Sequence, residues 1–227
     1  MSIFPKILLG AVVACCCLAA ADYVDAKNAQ MPDGAISFYS VPLMCPAARG
    51  LGCGSRAKPM LLELERTEAI QEAWLDHSGE TLAIVWNESS SAAQRATALK
   101  QIADKHEVSL DEMTGQARET SVTAFRTGKG WHRGSDVDRL SEEEALVITN
   151  RLLDRTAVEA PSAKSKSDAI RTELTEMIRQ LLVGEMPSME ECREKLTKIG
   201  QKHFNKAELT AFEHAFEKGY RPIGAER

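Results

Sequence analysis

The spacing of apolar positions changes at Trp86, and with it the kind of structure the chain predicts. Upstream, the apolar residues come in short runs. Residues 36–44 hold Ile36, Phe38, Tyr39, Val41 and Leu43, a first strand that Pro42 confines to a sheet edge or strand end. Pro59 suits an early helical position, and Met60, Leu61, Leu62 and Leu64 supply the apolar face of a short helix reaching about Thr67. Residues 70–75 and 81–86 are two more β-rich runs, and the polar stretch between them, with Gly79, predicts a hairpin.

Downstream of Trp86 the period is helical. Ala92, Ala96, Leu99, Ile102 and Ala103 recur three and four residues apart behind Ser91 and Gln94, a capping-box pair. Ser109 with Glu112, Ser141 with Glu144 and Ser188 with Glu191 repeat the signature and predict helices over about 110–127, 142–155 and 189–202. Ile170, Leu174, Met177, Ile178, Leu181 and Leu182 mark one face of a helix over 168–183, and Asn205 with Glu208 opens a last one. Residues 157–167 are small and polar and include Pro161, the composition of a flexible linker. The expected class is α+β: a strand, helix, strand, strand, helix unit over 36–106, a helical extension over 107–156, the linker, and a three-helix region over 168–227.

With 227 residues, 44% apolar and 27% charged, the chain can bury a core and lacks the composition of a disordered one. A net charge of −5 without a local basic patch argues against nucleic acid as a partner. Residues 1–21 combine Lys6, an uncharged run of 15 residues from Ile7 and small residues after it, the layout of an export signal. That run is shorter than the roughly 20 residues needed to span a bilayer. Val12, Val13 and Ala14 before Cys15 resemble a bacterial lipobox, whereas Ala19, Ala20 and Ala21 fit ordinary signal cleavage. The first scheme makes Cys15 a lipidated N-terminus with 22–35 as a tether; the second discards Cys15, Cys16 and Cys17. Either way the expected location is the periplasm or cell envelope, with membrane contact through the signal or a lipid anchor only.

Cys45, Cys53 and Cys192 remain after the signal. Cys192 shares an apolar stripe with Met189, Leu196 and Ile199 and is expected to pack as a small hydrophobe. Cys45 and Cys53 lie in a basic loop broken by Gly50, Gly52 and Gly54. Three outcomes need these residue types. A disulfide would close the loop and contribute about 2–3 kcal/mol. A thiolate pair would hold a soft ion, Cu(I), Zn(II) or Hg(II). A reactive pair would exchange disulfides, although the two-residue spacing and βαβ setting of thioredoxin-type sites are absent. Arg49, Arg56 and Lys58, together with the following helix N-terminus, are placed to stabilise thiolates, and Met44 and Met60 could add thioether contacts.

The run from Leu43, Met44 and Cys45 through Cys53 to a helix, and then residues 68–86 as a strand pair, resembles the first elements of heavy-metal-associated domains. These are the small ferredoxin-like βαββαβ modules of copper chaperones and mercury-binding proteins. The resemblance covers about residues 36–106 and implies a ferredoxin-like unit with Cys45 and Cys53 as metal ligands, Cu(I) being the favoured ion. Seven residues separate the thiols, where that family has two, and no fourth strand is legible after His106.

Residues 126–134 form a second glycine-rich basic loop, in which Lys129, His132 and Arg133 could cradle an anion, or which could be a solvated connector with Trp131 packed on a helix. Were it to meet the cysteine loop, His132 would offer a third ligand or a proton donor. His77, His106, His203 and His214 show no ligand spacing. With no nucleophile elbow, paired catalytic carboxylates or dinucleotide fingerprint, the balance leans away from an enzyme. The leading expectation is an exported protein that binds or senses a soft metal, exchanging it with a metal donor or acceptor. The alternative is an envelope interaction or assembly protein with a structural disulfide, and a thiol oxidoreductase comes third.

Overall fold

The computed structural model describes residues 33–184 and 188–219; the segment expected to be an export signal, the lipidation candidate Cys15 and most of the expected tether lie outside them. The described residues form an α+β fold built on a five-stranded, wholly antiparallel sheet. Strand β1 (Ile36–Ser40) is followed by helix α1 (Gly54–Leu64), strands β2 (Ile70–Asp76) and β3 (Thr81–Trp86), helix α2 (Ala92–His106) and strand β4 (Asp111–Glu112). Helix α3 (Gly115–Arg126), strand β5 (Trp131–His132) and helices α4 (Asp138–Glu159), α5 (Ser167–Val183), α6 (Met189–His203) and α7 (Lys206–Glu217) complete the chain. The strand order is β4-β1-β3-β2-β5.

Side-chain alternation sorts the sheet residues onto two buried faces. Ile70, Ala73, Leu75, Leu82, Ile84 and Trp86 join α1 and α2 in one core, while Ile36, Phe38, Trp74, Ala83 and Val85 face the other way against Phe125 and Val122 of α3 and Trp131 of β5. Burial on both sides explains why β3 reads as an unbroken apolar run. The β2–β3 turn is tied by Asp76, whose Oδ1 accepts the backbone N–H groups of Glu80 (2.9 Å) and Thr81 (2.7 Å). Helix α4 belongs to two cores at once: Leu140 packs under the sheet unit, whereas Ala145, Leu152 and Leu153 pack on α5, α6 and α7.

Several elements differ from the sequence reading. The capping boxes at Ser91, Ser188 and Asn205 form as expected, but Ser109 and Glu112 start no helix. There the open edge of β1 captures the chain: Tyr39 pairs with Glu112 and Ser40 with Asp111, supplying a fourth strand, and α3 begins later, after Thr114. Ser141 and Glu144 likewise cap nothing. Helix α4 starts upstream at Asp138, which turns both residues inward as buried polar side chains. Helix α1 begins at Gly54, five residues before Pro59, so the proline sits exposed inside the helix. Residues 157–167 are not a flexible linker: α4 runs to Glu159, and a 3-10 turn (Pro161–Lys166) follows, with Ala163 buried and both Ser162 and Lys166 bound to the Glu208 carboxylate.

Candidate functional site

The cysteine loop folds into a small two-stranded ladder. Met44 bridges Gly52 in antiparallel fashion, flanked by Cys45 N–H donating to Leu51 O and Cys53 N–H donating to Leu43 O, each at 2.7 Å. Residues on either side of such a bridge project from the face opposite to it. Leu43, Cys45, Leu51 and Cys53 are accordingly buried together, the two thiols being 1% and 6% exposed, whereas Met44 faces outward at 37%. Cys45 and Cys53 are diagonal neighbours on that face, a relation that sets residues about 7–8 Å apart and their Cβ atoms somewhat closer. Cys53 is also the N-cap residue of α1.

The ladder is anchored to the β2–β3 turn. Leu43 N–H donates to Gly79 O (3.0 Å) and Gly52 N–H to His77 O (2.7 Å). Gly79, at φ +76°, and Gly52 approach so closely that a Cβ on Gly79 would lie 2.6 Å from the Gly52 Cα. On the other side stands α4, where a Cβ on Gly54 would meet the Ser141 hydroxyl at 2.3 Å. Loop, turn and helix thus close over the sulfurs.

Inside this enclosure the electrostatics run against the expected thiolates. Cys45 Sγ accepts the Ala47 N–H at 3.2 Å, and its thiol hydrogen-bonds to the Glu144 carboxyl. Burial, reinforced by the negative charge of Glu144, pushes the Cys45 thiol up to about 12. Burial also raises the Glu144 carboxyl, only partly offset by the bond to Cys45, and its Oε2, like the buried Ser141 hydroxyl, has no hydrogen-bond partner among the described residues. Cys53 Sγ sits 3.3 Å from the Ser55 hydroxyl.

The three cations assigned to the thiols are elsewhere. Arg49 is exposed, Arg56 is exposed and donates to Pro42 O at 3.4 Å, and Lys58 is ion-paired with Asp138. A long side chain on a helix surface follows the nearest accessible carboxylate or carbonyl, and the sulfurs are sealed off from it. Met60 is wholly buried in the core. No cysteine pair among the described residues lies at disulfide distance, so the proposed Cys45–Cys53 bridge is open here and all three thiols are free. Cys192 packs on α6 as expected, its thiol raised by burial.

In the second basic loop the expected anion-binding side chains are spread apart in role. Arg133 is committed to Glu65 (2.6 Å) and Glu72 (3.7 Å) and lies over the Trp74 ring, and Lys129 is exposed. His132 is buried on β5, opposite Leu75 of β2, with its ring centroid 6.0 Å from that of His77. Because the His77 carbonyl holds Gly52, the two basic loops do share one end of the sheet. Among the described residues no three His, Cys, Asp or Glu side chains are grouped to hold a metal, which leaves a two-ligand thiol site as the arrangement the loop can offer.

Sequence reasoning missed Glu144 and His77. Glu144 was legible only as a helix cap; its spacing of three from Ser141 would have revealed the inward face had the helix start been placed at Asp138. Nothing local marked His77, whose neighbour is 55 residues away. Compared with known proteins, the chain matches no family model, no curated protein and no solved structure.

Proposed function

We propose that this is an exported envelope protein that binds or senses a soft metal ion, Cu(I) before Hg(II) or Zn(II), through the thiols of Cys45 and Cys53. One observation carries the reading: the ladder around the Met44–Gly52 bridge brings two free thiols onto the same buried face at the head of α1. A linear two-sulfur site, with metal–sulfur bonds of about 2.3 Å, needs sulfurs about 4.6 Å apart. Diagonal side chains turned toward each other can close to that separation. A ferredoxin-like reading of the unit is supported by the order β4-β1-β3-β2, with α1 and α2 as the crossovers and β4 as the strand that the sequence did not reveal.

In the fold the two sulfurs are enclosed, and the Cys45 thiol is pushed up to about 12. Uptake must expel the Cys45 proton, so affinity rises with pH through the neutral range. The same protonation disfavours thiol exchange, which requires a thiolate attacker. Under anaerobic conditions the reduced protein is expected to take up about one equivalent of Cu(I) against a competing chelator, and Cys45→Ser and Cys53→Ser should each abolish it. No uptake by the reduced wild-type protein removes the reading.

A second reading, a non-catalytic interaction protein, is favoured by a different feature. Helices α4 to α7 leave an apolar groove of about 160 Å³ lined by Ile148, Leu152, Ile178, Met189, Leu196 and Phe216, with Met189 72% exposed. A partner held by the full-length protein and lost in Met189→Asp would support it, and unchanged capture by that variant would count against it.

A further inference from the structure

His132 presents an anomaly that neither reading uses. Its side chain is buried, and neither ring nitrogen has a hydrogen-bond partner among the described residues. A neutral imidazole has one N–H donor and one lone-pair acceptor, and leaving them unmade in the interior is costly, so such a group points to a missing water or ion.

Carboxylates and a second imidazole lie near it. Asp136 is pinned by its Oδ1, which accepts the Arg133 N–H at 2.7 Å, and its Oδ2 stands 3.9 Å from His132 Nδ1. Across the notch, His77 Nε2 is 3.5 Å from Glu143 Oε2. Two ligands of one tetrahedral zinc, with bonds of about 2.0–2.1 Å, lie about 3.3 Å apart. The first pair is slightly wide of that edge and the second close to it. The side chains of His77, Asp136 and Glu143 are partly exposed, so an ion has access from solvent. As drawn, the four groups do not yet share a centre.

We propose that His77, His132, Asp136 and Glu143 form a second metal site, for a borderline divalent ion of the Zn(II) class, at the end of the sheet beside the cysteine loop. Two imidazoles and two carboxylates select such an ion over Cu(I), which prefers sulfur. The ion would satisfy the orphaned ring. This site is independent of the thiols.

The test uses the full chain carrying Cys45→Ser and Cys53→Ser, which removes the soft-ion site, titrated with Co(II) as a spectroscopic stand-in for Zn(II). One equivalent should bind with the visible bands of a tetrahedral N/O centre and be displaced by Zn(II). Adding His77→Gln, at a partly exposed turn position where folding is not at stake, should weaken binding at least about tenfold, and His132→Gln should do the same. Absence of Co(II) binding in the double-serine protein, or equal binding after His77→Gln, overturns the proposal. Neither outcome bears on Cu(I) uptake by the wild-type protein.

Discussion

Gly79→Ala, measured against Gly50→Ala, tests whether the β2–β3 turn holds the cysteine loop shut. Both glycines adopt φ +76°, so alanine at either meets the same left-handed strain of about 1–2 kcal/mol. Their surroundings differ. A Cβ on Gly50 would point into open space, whereas one on Gly79 would lie 2.6 Å from the Gly52 Cα, 2.6 Å from the Leu43 oxygen and 2.8 Å from the Leu43 carbonyl carbon. All three are backbone atoms of the ladder and cannot swing aside. Forced overpacking of this kind costs about 1–3 kcal/mol, which falls on Gly79→Ala alone and brings its total to about 2–5 kcal/mol. At about 2–4 °C per kcal/mol for a chain of this size, the two variants should melt about 2–12 °C apart by circular dichroism. The strain should also surface as chemistry. Moving the turn breaks the bonds from Leu43 N–H to Gly79 O and from Gly52 N–H to His77 O, so Cys45 and Cys53 should react faster with a thiol reagent under native conditions in Gly79→Ala than in Gly50→Ala. Equal melting points and equal labelling would refute the claim that this contact seals the thiols.

Three other outcomes follow from the structure. Glu144, raised mainly by burial, binds its proton in the fold at pH values where the unfolded chain has lost it; stability therefore falls as pH rises above about 4.3, and Glu144→Gln, free of that loss, should gain on wild type in urea titrations between pH 4 and pH 7. A constant difference across that range would be the wrong result. Glu208 behaves oppositely: Lys166 first, then the Asn205 N–H and Ser162, hold its carboxyl down at about 2, so its contribution is present above the unfolded carboxylate pKa and is lost between about 4.3 and 2. Glu208→Gln should flatten the acid limb of the stability profile, and an unchanged limb would contradict the assignment. Phe125→Ala empties the centre of the edge-on aromatic group formed with Phe38, Trp74 and Trp131 and should cost about 3–5 kcal/mol, read by chemical denaturation; a loss under 1 kcal/mol would mean that α3 is not a structural cover for the sheet.

Elements whose determinants lie within a few residues were legible in advance. The hairpin at Asp76–Glu80 follows from Gly79 and the Asp76 carboxylate, and the caps at Ser91, Ser188 and Asn205 from side chains that reach backbone groups two or three positions away. The same short-range signature misled at Ser109 and Ser141, because a strand edge outcompeted one and the packing of Leu140 moved the other inside a longer helix. At the candidate site, Cys45 and Cys53 could be singled out from residue type and setting. Their burial, their common face and the loss of their supposed cations could not.

What the chain alone determined is therefore its inventory: the three longer strands before Trp86, most of the helices after it, two thiols in a glycine-broken turn, and three correctly signalled helix starts. What only the tertiary structure decided is which groups meet. Glu144 lies against Cys45 across 99 residues of sequence, and His132 beside His77 across 55. Local hydrogen bonding and periodicity act over one or two turns of chain. The charge state of a buried thiol or imidazole is set by desolvation and by neighbours that arrive from distant segments, and those exist only once the sheet and α4 have closed around them.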